Sequence, residues 1–175
     1  MDPYLGLARL SILQFVTQGT PLEQIPEEIQ RALAPIRAAV FVSIHTREHA
    51  LRGCIGTLEP LCPNIAEEII RNSISACSAD WRFAPVTSHE LPNLILQVDV
   101  LSPLEAVEDA TSLDPKHYGL LISASDGRRG VLLPDLEGID TPQAQIAIAC
   151  RKAGIDPRQD PIQFQRFTTE RHAEV

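Results

Sequence analysis

A cysteine between two glycines is the part of this sequence with the clearest potential for chemistry. The stretch reads Leu51-Arg52-Gly53-Cys54-Ile55-Gly56-Thr57. Side chains alternate in direction along a strand, so Arg52, Cys54 and Gly56 are predicted to share one face. A positive charge nearby favours the thiolate and makes a cysteine more acidic. Arg52 could therefore lower the pKa of Cys54 or hold an anionic substrate group, although free cysteines often serve only as buried packing residues.

The two glycines allow two interpretations. Glycine weakens a strand, and two in one strand indicate close approach by another backbone or by a ligand. In the first case Gly53 and Gly56 let a helix pack closely on the sheet. In the second case their amides are candidates for binding a substrate and stabilising developing negative charge.

A hairpin is predicted around this strand. Residues 38–46 alternate as a strand and are expected to pair with residues 50–58 through a turn at 47–49. Pairing places side chains of the first strand beside those of the second. His45 is therefore a candidate neighbour of Cys54, either as part of a Cys-His dyad or as a surface histidine.

The loop over residues 80–92 carries further candidates. Asp80 and Arg82 lie there, next to the apolar side chains of Trp81 and Phe83. The pair could be a structural ion pair or part of a site. Because a predicted helix over 64–79 returns the chain to the sheet, we expect Asp80 and Arg82 to join Arg52 and Cys54 in a cleft. Asp80 is then a candidate catalytic residue and Arg82 a substrate-binding one.

The remaining pattern predicts an α+β fold, in which an antiparallel sheet is flanked by helices. Cys77 and Cys150 lie on apolar helical stripes and are predicted to be buried and unpaired. Residues 103–115 are interpreted as a surface connector, and 157–175 as a polar terminal segment that frays at its end. The predicted helices cover residues 3–17, 27–33, 64–79 and 141–154, and the predicted strands 38–46, 50–58, 94–102, 118–124 and 129–134.

Composition limits the possible functions. The chain has 175 residues, 44% of them hydrophobic, and a net charge of −8. This charge argues against unaided nucleic-acid binding, which depends on neutralising phosphates. Zinc, nucleotide and serine-elbow motifs are absent, so no metal or cofactor is expected. Without a signal-peptide pattern or an apolar run of about 18 residues, the sequence predicts a cytoplasmic protein with reduced thiols.

The cysteine motif also resembles the signature of the AMMECR domain family, whose short microbial members are called AmmeMemoRadiSam system protein A. Five further blocks, one before the motif and four after it, stand in the family's order, so that the resemblance covers roughly residues 38–168. These blocks are Ala39-Val40-Phe41-Val42-Ser43-Ile44, Asp80-Trp81-Arg82-Phe83-Ala84-Pro85-Val86-Thr87, Val98-Asp99-Val100-Leu101-Ser102-Pro103, Gly130-Val131-Leu132-Leu133-Pro134 and Cys150-Arg151-Lys152-Ala153-Gly154.

The resemblance implies a single two-lobed domain over residues 1–175, with a larger lobe from both chain ends and a smaller lobe from the middle. Three residues depart from the family pattern. Trp81 replaces a proline, Gln97 stands where glutamate is expected, and Asp135 stands where glutamine is common. Gln97 matters most, because it removes a possible acid or base.

Three functions remain open at this point. The first is an enzyme that uses Cys54 as nucleophile on a small anionic substrate, which requires solvent access and a pKa below about 8.5. The second is a non-catalytic accessory module, since the resemblance implies a Memo-like protein and a radical SAM protein as partners. The third, nucleic-acid regulation, has been suggested for relatives and is disfavoured by the acidic charge.

Overall fold

The computed structural model describes residues 2–174, which divide into two compact units. One unit contains the residues up to 101 together with those from 170 onward, and the other contains residues 102–169. The helices are α1 (Pro3–Gln18), α2 (Glu27–Leu33), α3 (Ile65–Ser78) and α4 (Pro142–Ala153). The strands are β1 (Val40–Thr46), β2 (Leu51–Gly56), β3 (Leu94–Leu101), β4 (Glu105–Val107), β5 (Gly119–Ala124), β6 (Arg129–Leu132), β7 (Ile162–Phe167) and β8 (Thr169–Ala173).

The first unit is built on an antiparallel sheet with the strand order β2-β1-β3-β8. Helices α1 and α3 pack against one face of it. Val42 and Ile44 on β1 and Val98 on β3 point into that core and are fully buried. Asn64 begins α3, its side chain accepting a hydrogen bond from the backbone N–H of Glu67. A side-chain acceptor at this position satisfies a free N–H of the first turn.

The second unit has an antiparallel sheet with the order β4-β7-β5-β6, and α4 packs against β5 and β6. Thr141 caps α4 and Pro142 occupies its first turn. Gly154 ends the helix at φ 64°, a left-handed conformation that glycine adopts without strain.

The α+β prediction is confirmed, and its helices and five strands are present within a few residues of their predicted bounds. The interpretation of the terminal segment as a polar chain that frays was wrong for most of residues 162–173, which form β7 and β8. Val175 lies outside the described residues. Strand β7 lies between β4 and β5 within its sheet. Ile162-Gln163-Phe164-Gln165 alternates apolar and polar side chains, so a signal for this strand was present in the sequence and was missed. The interpretation of 103–115 also missed the short strand β4 and a 3-10 turn over Ala110–Ser112.

Cys77 and Cys150 are buried, and all four cysteines are free, as the sequence predicted. Burial raises the pKa of the Cys77 thiol to about 11, because an apolar environment disfavours the thiolate. Both cysteines therefore act as small apolar residues of their helices. Among the described residues, no helix is long and apolar enough to cross a membrane.

Candidate functional site

The glycines of β2 are explained by close packing on both faces of the strand. A Cβ at Gly53 would overlap the carbonyl oxygen of Ala76, so this glycine lets the backbone of α3 lie directly against the strand. A Cβ at Gly56 would overlap the ring of Phe41, which lies opposite it on β1. One glycine thus accommodates a helix backbone and the other an aromatic ring.

Cys54 lies on the face of the sheet opposite to α3. We call this side the Cys54 face and define it by Ser43, Cys54, Gln97 and Asp99. Ser43 lies directly opposite Cys54 in the β1–β2 pair and opposite Gln97 in the β1–β3 pair. The Ser43 hydroxyl donates to the Cys54 sulfur over 3.2 Å. This row of polar side chains crosses three strands of the first unit.

The backbone N–H of Cys54 points away from the neighbouring strand β1. It donates to Asp80 Oδ2 at 2.9 Å, on the outer side of β2. Because N–H directions alternate in an antiparallel strand, the Gly56 amide also points outward and the Gly53 amide points toward β1. Of the two amides considered for anion binding, only that of Gly56 therefore faces the outer edge.

Asp80 and Arg82 form a clamp on this edge. Asp80 Oδ1 accepts the Arg82 Nε–H at 2.9 Å, and Oδ2 accepts an Nη2–H at 2.6 Å. The Arg82 Nη2 also donates to the Cys54 carbonyl at 3.2 Å. The guanidinium holds the pKa of the Asp80 carboxyl at about 2, so Asp80 is ionised at neutral pH and is a very weak base.

One side of the Arg82 guanidinium remains open. Within residues 2–174, its Nη1 makes no hydrogen bond, and the side chain is 41% exposed. The Asp80 side chain is 2% exposed and already accepts four hydrogen bonds, from Cys54 and Arg82. A carboxylate offers about four acceptor positions, so this clamp presents donors but no free acceptors.

Arg52 is held by the loop over residues 80–92 rather than by a contact with Cys54. The register shifts between Ile44 and His45, which leaves Arg52 as the extra residue of a β-bulge. A bulge redirects side chains and breaks strict alternation. Arg52 accordingly pairs with Glu90 at 2.7 Å and donates to the Ala84 carbonyl at 2.9 Å.

Arg82, rather than Arg52, is the cation that acts on the Cys54 thiol. Burial nevertheless raises the pKa of Cys54 above its ordinary value, although Ser43 and Arg82 partly oppose this. The direction is opposite to the one expected for a ready nucleophile, and the thiol is protonated at neutral pH. Cys54 is still partly accessible to solvent.

His45 lies two pairs beyond Ser43 along β1, opposite Leu51 and Ile95. No hydrogen bond joins His45 to Cys54 within the described part of the chain. The structure therefore brings Asp80 and Arg82 to Cys54, whereas Arg52 is held by the loop and His45 makes no bond to the thiol.

Two charged residues were missed from the sequence: Asp99 of the Cys54 face, and Arg171, which is bonded to it. Asp99 is fully buried, and it accepts hydrogen bonds from Gln97 Nε2 at 2.6 Å and Arg171 Nε at 2.8 Å. Its charge raises the pKa of Cys54. An aspartate in a strand whose other residues, apart from Gln97, are apolar was a usable signal. Arg171 gave no such signal in the sequence, because it lies in the segment that was interpreted as a frayed end.

Gln97 has a specific role in this arrangement. Its amide donates to Asp99, whereas a glutamate at this position would place a second carboxylate beside a buried one. Among residues 2–174, no three side chains of the His, Cys, Asp and Glu types are grouped so that they could hold a metal ion.

Comparisons with known proteins agree with this fold. The model of the AMMECR1 family matches residues 5–172. A Thermotoga maritima protein is 44% identical over 173 residues, which is 97% of both chains. A Clostridium acetobutylicum protein is 42% identical over 173 residues, covering 99% of this chain but 36% of the relative. The crystal structure of an uncharacterised Pyrococcus horikoshii protein superposes with a TM-score of 0.87 at 29% identity, covering 98% of this chain and 89% of that one.

Proposed function

The chain belongs to the AMMECR1 family, and we propose that it is a binding module that holds a small anion at Arg82, on the outer edge of β2 beside Cys54. The supporting observation is the hydrogen-bond inventory of the clamp. Arg82 keeps Nη1 open, while the oxygens of Asp80 are already used. A ligand that supplies acceptors, such as a carboxylate or a phosphate, complements this arrangement, and guanidinium groups bind such acceptors strongly.

The raised pKa of Cys54 favours binding over catalysis by this thiol. A nucleophilic cysteine reacts as the thiolate, and the described residues provide no base bonded to its sulfur. The second candidate, an enzyme that uses Cys54 as nucleophile, is supported by the Ser43 hydrogen bond, which lowers the thiol pKa, and by the partial exposure of Cys54. In that function Asp80 and Arg82 position the thiol and substrate, with the Gly56 amide beside them.

Two alkylating reagents of similar size test anion binding directly, because iodoacetate is charged and iodoacetamide is neutral. The rate with iodoacetate is divided by the rate with iodoacetamide. This ratio is measured at Cys54 and compared with the same ratio for N-acetylcysteine, both at low ionic strength. The labelled protein carries Cys62→Ser, because Cys54 and Cys62 lie on the same tryptic peptide, residues 53–71, and their labelling would otherwise be counted together. We expect the ratio at Cys54 to be about tenfold higher, as one charge-assisted hydrogen bond implies.

Substitutions of Asp80 and Arg82 separate hydrogen bonding by Arg82 from the effect of the local net charge. Arg82→Gln should return the ratio to the free-thiol value. The double variant Asp80→Asn, Arg82→Gln keeps the local net charge, so its ratio should also fall. Arg128→Gln is the matched control, because Arg128 pairs with Asp126 at the same sequence spacing in the other unit. A wild-type ratio no higher than that of the free thiol, or one unaffected by Arg82→Gln, would contradict the proposal.

The pH dependence of iodoacetamide labelling separates the two functions. For the binding module, the rate at Cys54 should rise only above the pH at which a free cysteine titrates. Rapid labelling near pH 7 with a midpoint below about 8.5 would favour the enzyme instead.

An accessory module needs protein partners, and the proposed ones are a Memo-like protein and a radical SAM protein. The family resemblance supports them, and the Clostridium relative shows that a chain like this one occurs within a longer polypeptide. Trp81 is the single tryptophan and is 91% exposed next to Arg82. If a partner covers it, its fluorescence should shift to shorter wavelength on titration, and an unchanged spectrum together with separate elution of the proteins would argue against the partner.

A further inference from the structure

An apolar cavity of about 250 Å³ lies between α1 and the start of β3. Among the described residues that line it, Arg9 is charged and the other side chains are apolar. The volume falls between the roughly 150 Å³ that accepts a benzene molecule and the 300 Å³ and more of drug-sized sites. The apolar lining residues are Ile12, Leu13, Leu91, Pro92, Leu94 and Leu96.

The cavity is open to solvent at a rim that carries basic groups. Leu13 is 46% exposed there. A wider cleft of about 550 Å³ shares Arg9 with the cavity and adds Arg47, His49 and Glu174. The cleft thus contains two arginines and one carboxylate, on a chain whose net charge is −8.

The single carboxylate is already used within the protein. Glu174 accepts hydrogen bonds from Arg9 and from the backbone N–H of Leu96 at 2.9 Å. Arg47 instead donates one hydrogen bond from Nη2 to the Pro92 carbonyl at 3.1 Å. Because Pro92 lines both the cavity and the cleft, this contact places the Arg47 guanidinium at the junction of the two. Arg47 is exposed and keeps its remaining donors available.

We propose that this cavity binds a medium-chain carboxylate, with the alkyl chain among the leucines and the carboxylate at Arg47. The apolar lining matches the alkyl chain, because burying each methylene is favourable. The basic rim matches the head group, because a guanidinium binds a carboxylate through charge-assisted hydrogen bonds. The residues of the Cys54 face do not line this cavity, so the inference is independent of the function proposed above.

Calorimetric titration with octanoate and octanol, below the concentration at which octanoate forms micelles, tests both parts of the ligand. Saturable binding of both is expected. From hexanoate to octanoate each methylene should tighten binding about fourfold, with little further gain once the cavity is full. Arg47→Gln should weaken octanoate about tenfold and leave octanol unchanged, because only the carboxylate uses the guanidinium.

Two leucine variants provide the apolar control. Leu13→Asn at the mouth should weaken both ligands, whereas Leu61→Asn should affect neither, since Leu61 is 64% exposed and does not line the cavity. Equal effects of Arg47→Gln on the two ligands, or no saturation before micelles form, would overturn the proposal. Self-association of the ligand-free protein that Leu13→Asn abolishes would also overturn it, by placing a second copy on the cavity.

Discussion

Replacing Asp80 by asparagine should destabilise the first unit by an amount that the structure allows us to estimate. The wild-type carboxylate holds Arg82 with both oxygens and also accepts the N–H of Cys54. Asparagine keeps one acceptor but removes the charge. Its amide nitrogen would then lie against either the guanidinium or the backbone N–H, both of which are donors.

Two arguments give the size of the effect. The pKa of Asp80 falls from 3.8 to about 2 on folding, and this shift corresponds to about 2 kcal/mol at neutral pH. Removing one partner of a fully buried pair costs about 3–5 kcal/mol. Arg82 is 41% exposed, and solvent screening places this pair below that range. We therefore expect Asp80→Asn to lower the free energy of unfolding by about 2 kcal/mol.

The pH dependence identifies the cause. The folded-state pKa of Asp80 is lowered, so its contribution is complete above pH 4 and is lost as the pH falls toward 2. Urea unfolding followed by circular dichroism should show a constant difference between wild type and Asp80→Asn from pH 8 to pH 5, and a smaller difference at pH 3.

A matched control exists in the other unit. Asp126 pairs with Arg128 at the same sequence spacing and also accepts the backbone N–H of Arg128. The Asp126 side chain, however, is 52% exposed. Asp126→Asn should therefore change stability much less. Equal losses in the two variants, or a difference from wild type that grows below pH 4, would refute the reasoning about Asp80.

Three further outcomes are expected. Gly53→Ala should lower the free energy of unfolding by about 1–3 kcal/mol in thermal or urea unfolding, because the new methyl group overlaps a carbonyl oxygen of α3. Asp99→Asn should lower the pH midpoint of iodoacetamide labelling at Cys54, since the Asp99 charge raises the pKa of this thiol; an upward shift would contradict this. A thiol reagent should count four free thiols in denaturant, while Cys77 and Cys150 stay unreactive in the folded protein.

Local patterns predicted part of the geometry around Cys54. Alternation in the strand before the signature and the glycines within it indicated the hairpin of β1 and β2. The apolar stripe of α3 indicated that the chain returns to the sheet, which is how Asp80 and Arg82 come to lie beside Cys54.

Other features depended on contacts distant in sequence. The direction of Arg52 follows from a bulge, and a register shift leaves no mark in the residue types themselves. The pKa of Cys54 depends on burial outweighing a nearby guanidinium, and this balance is set by residues that are distant from Cys54 in the sequence. Arg171 reaches Asp99 only because a polar terminal segment pairs as the last strand of the sheet.

The clamp on β2 also bears on solubility. β2 is the outermost strand of its sheet, and an exposed outermost strand is a template for pairing with another chain. The side chains of Asp80 and Arg82 bond the N–H and C=O of Cys54, which are the groups an added strand would use. We therefore expect the same two residues to oppose intermolecular β-pairing. Substitutions there are therefore expected to produce aggregation detectable by light scattering, even where the monomer remains folded.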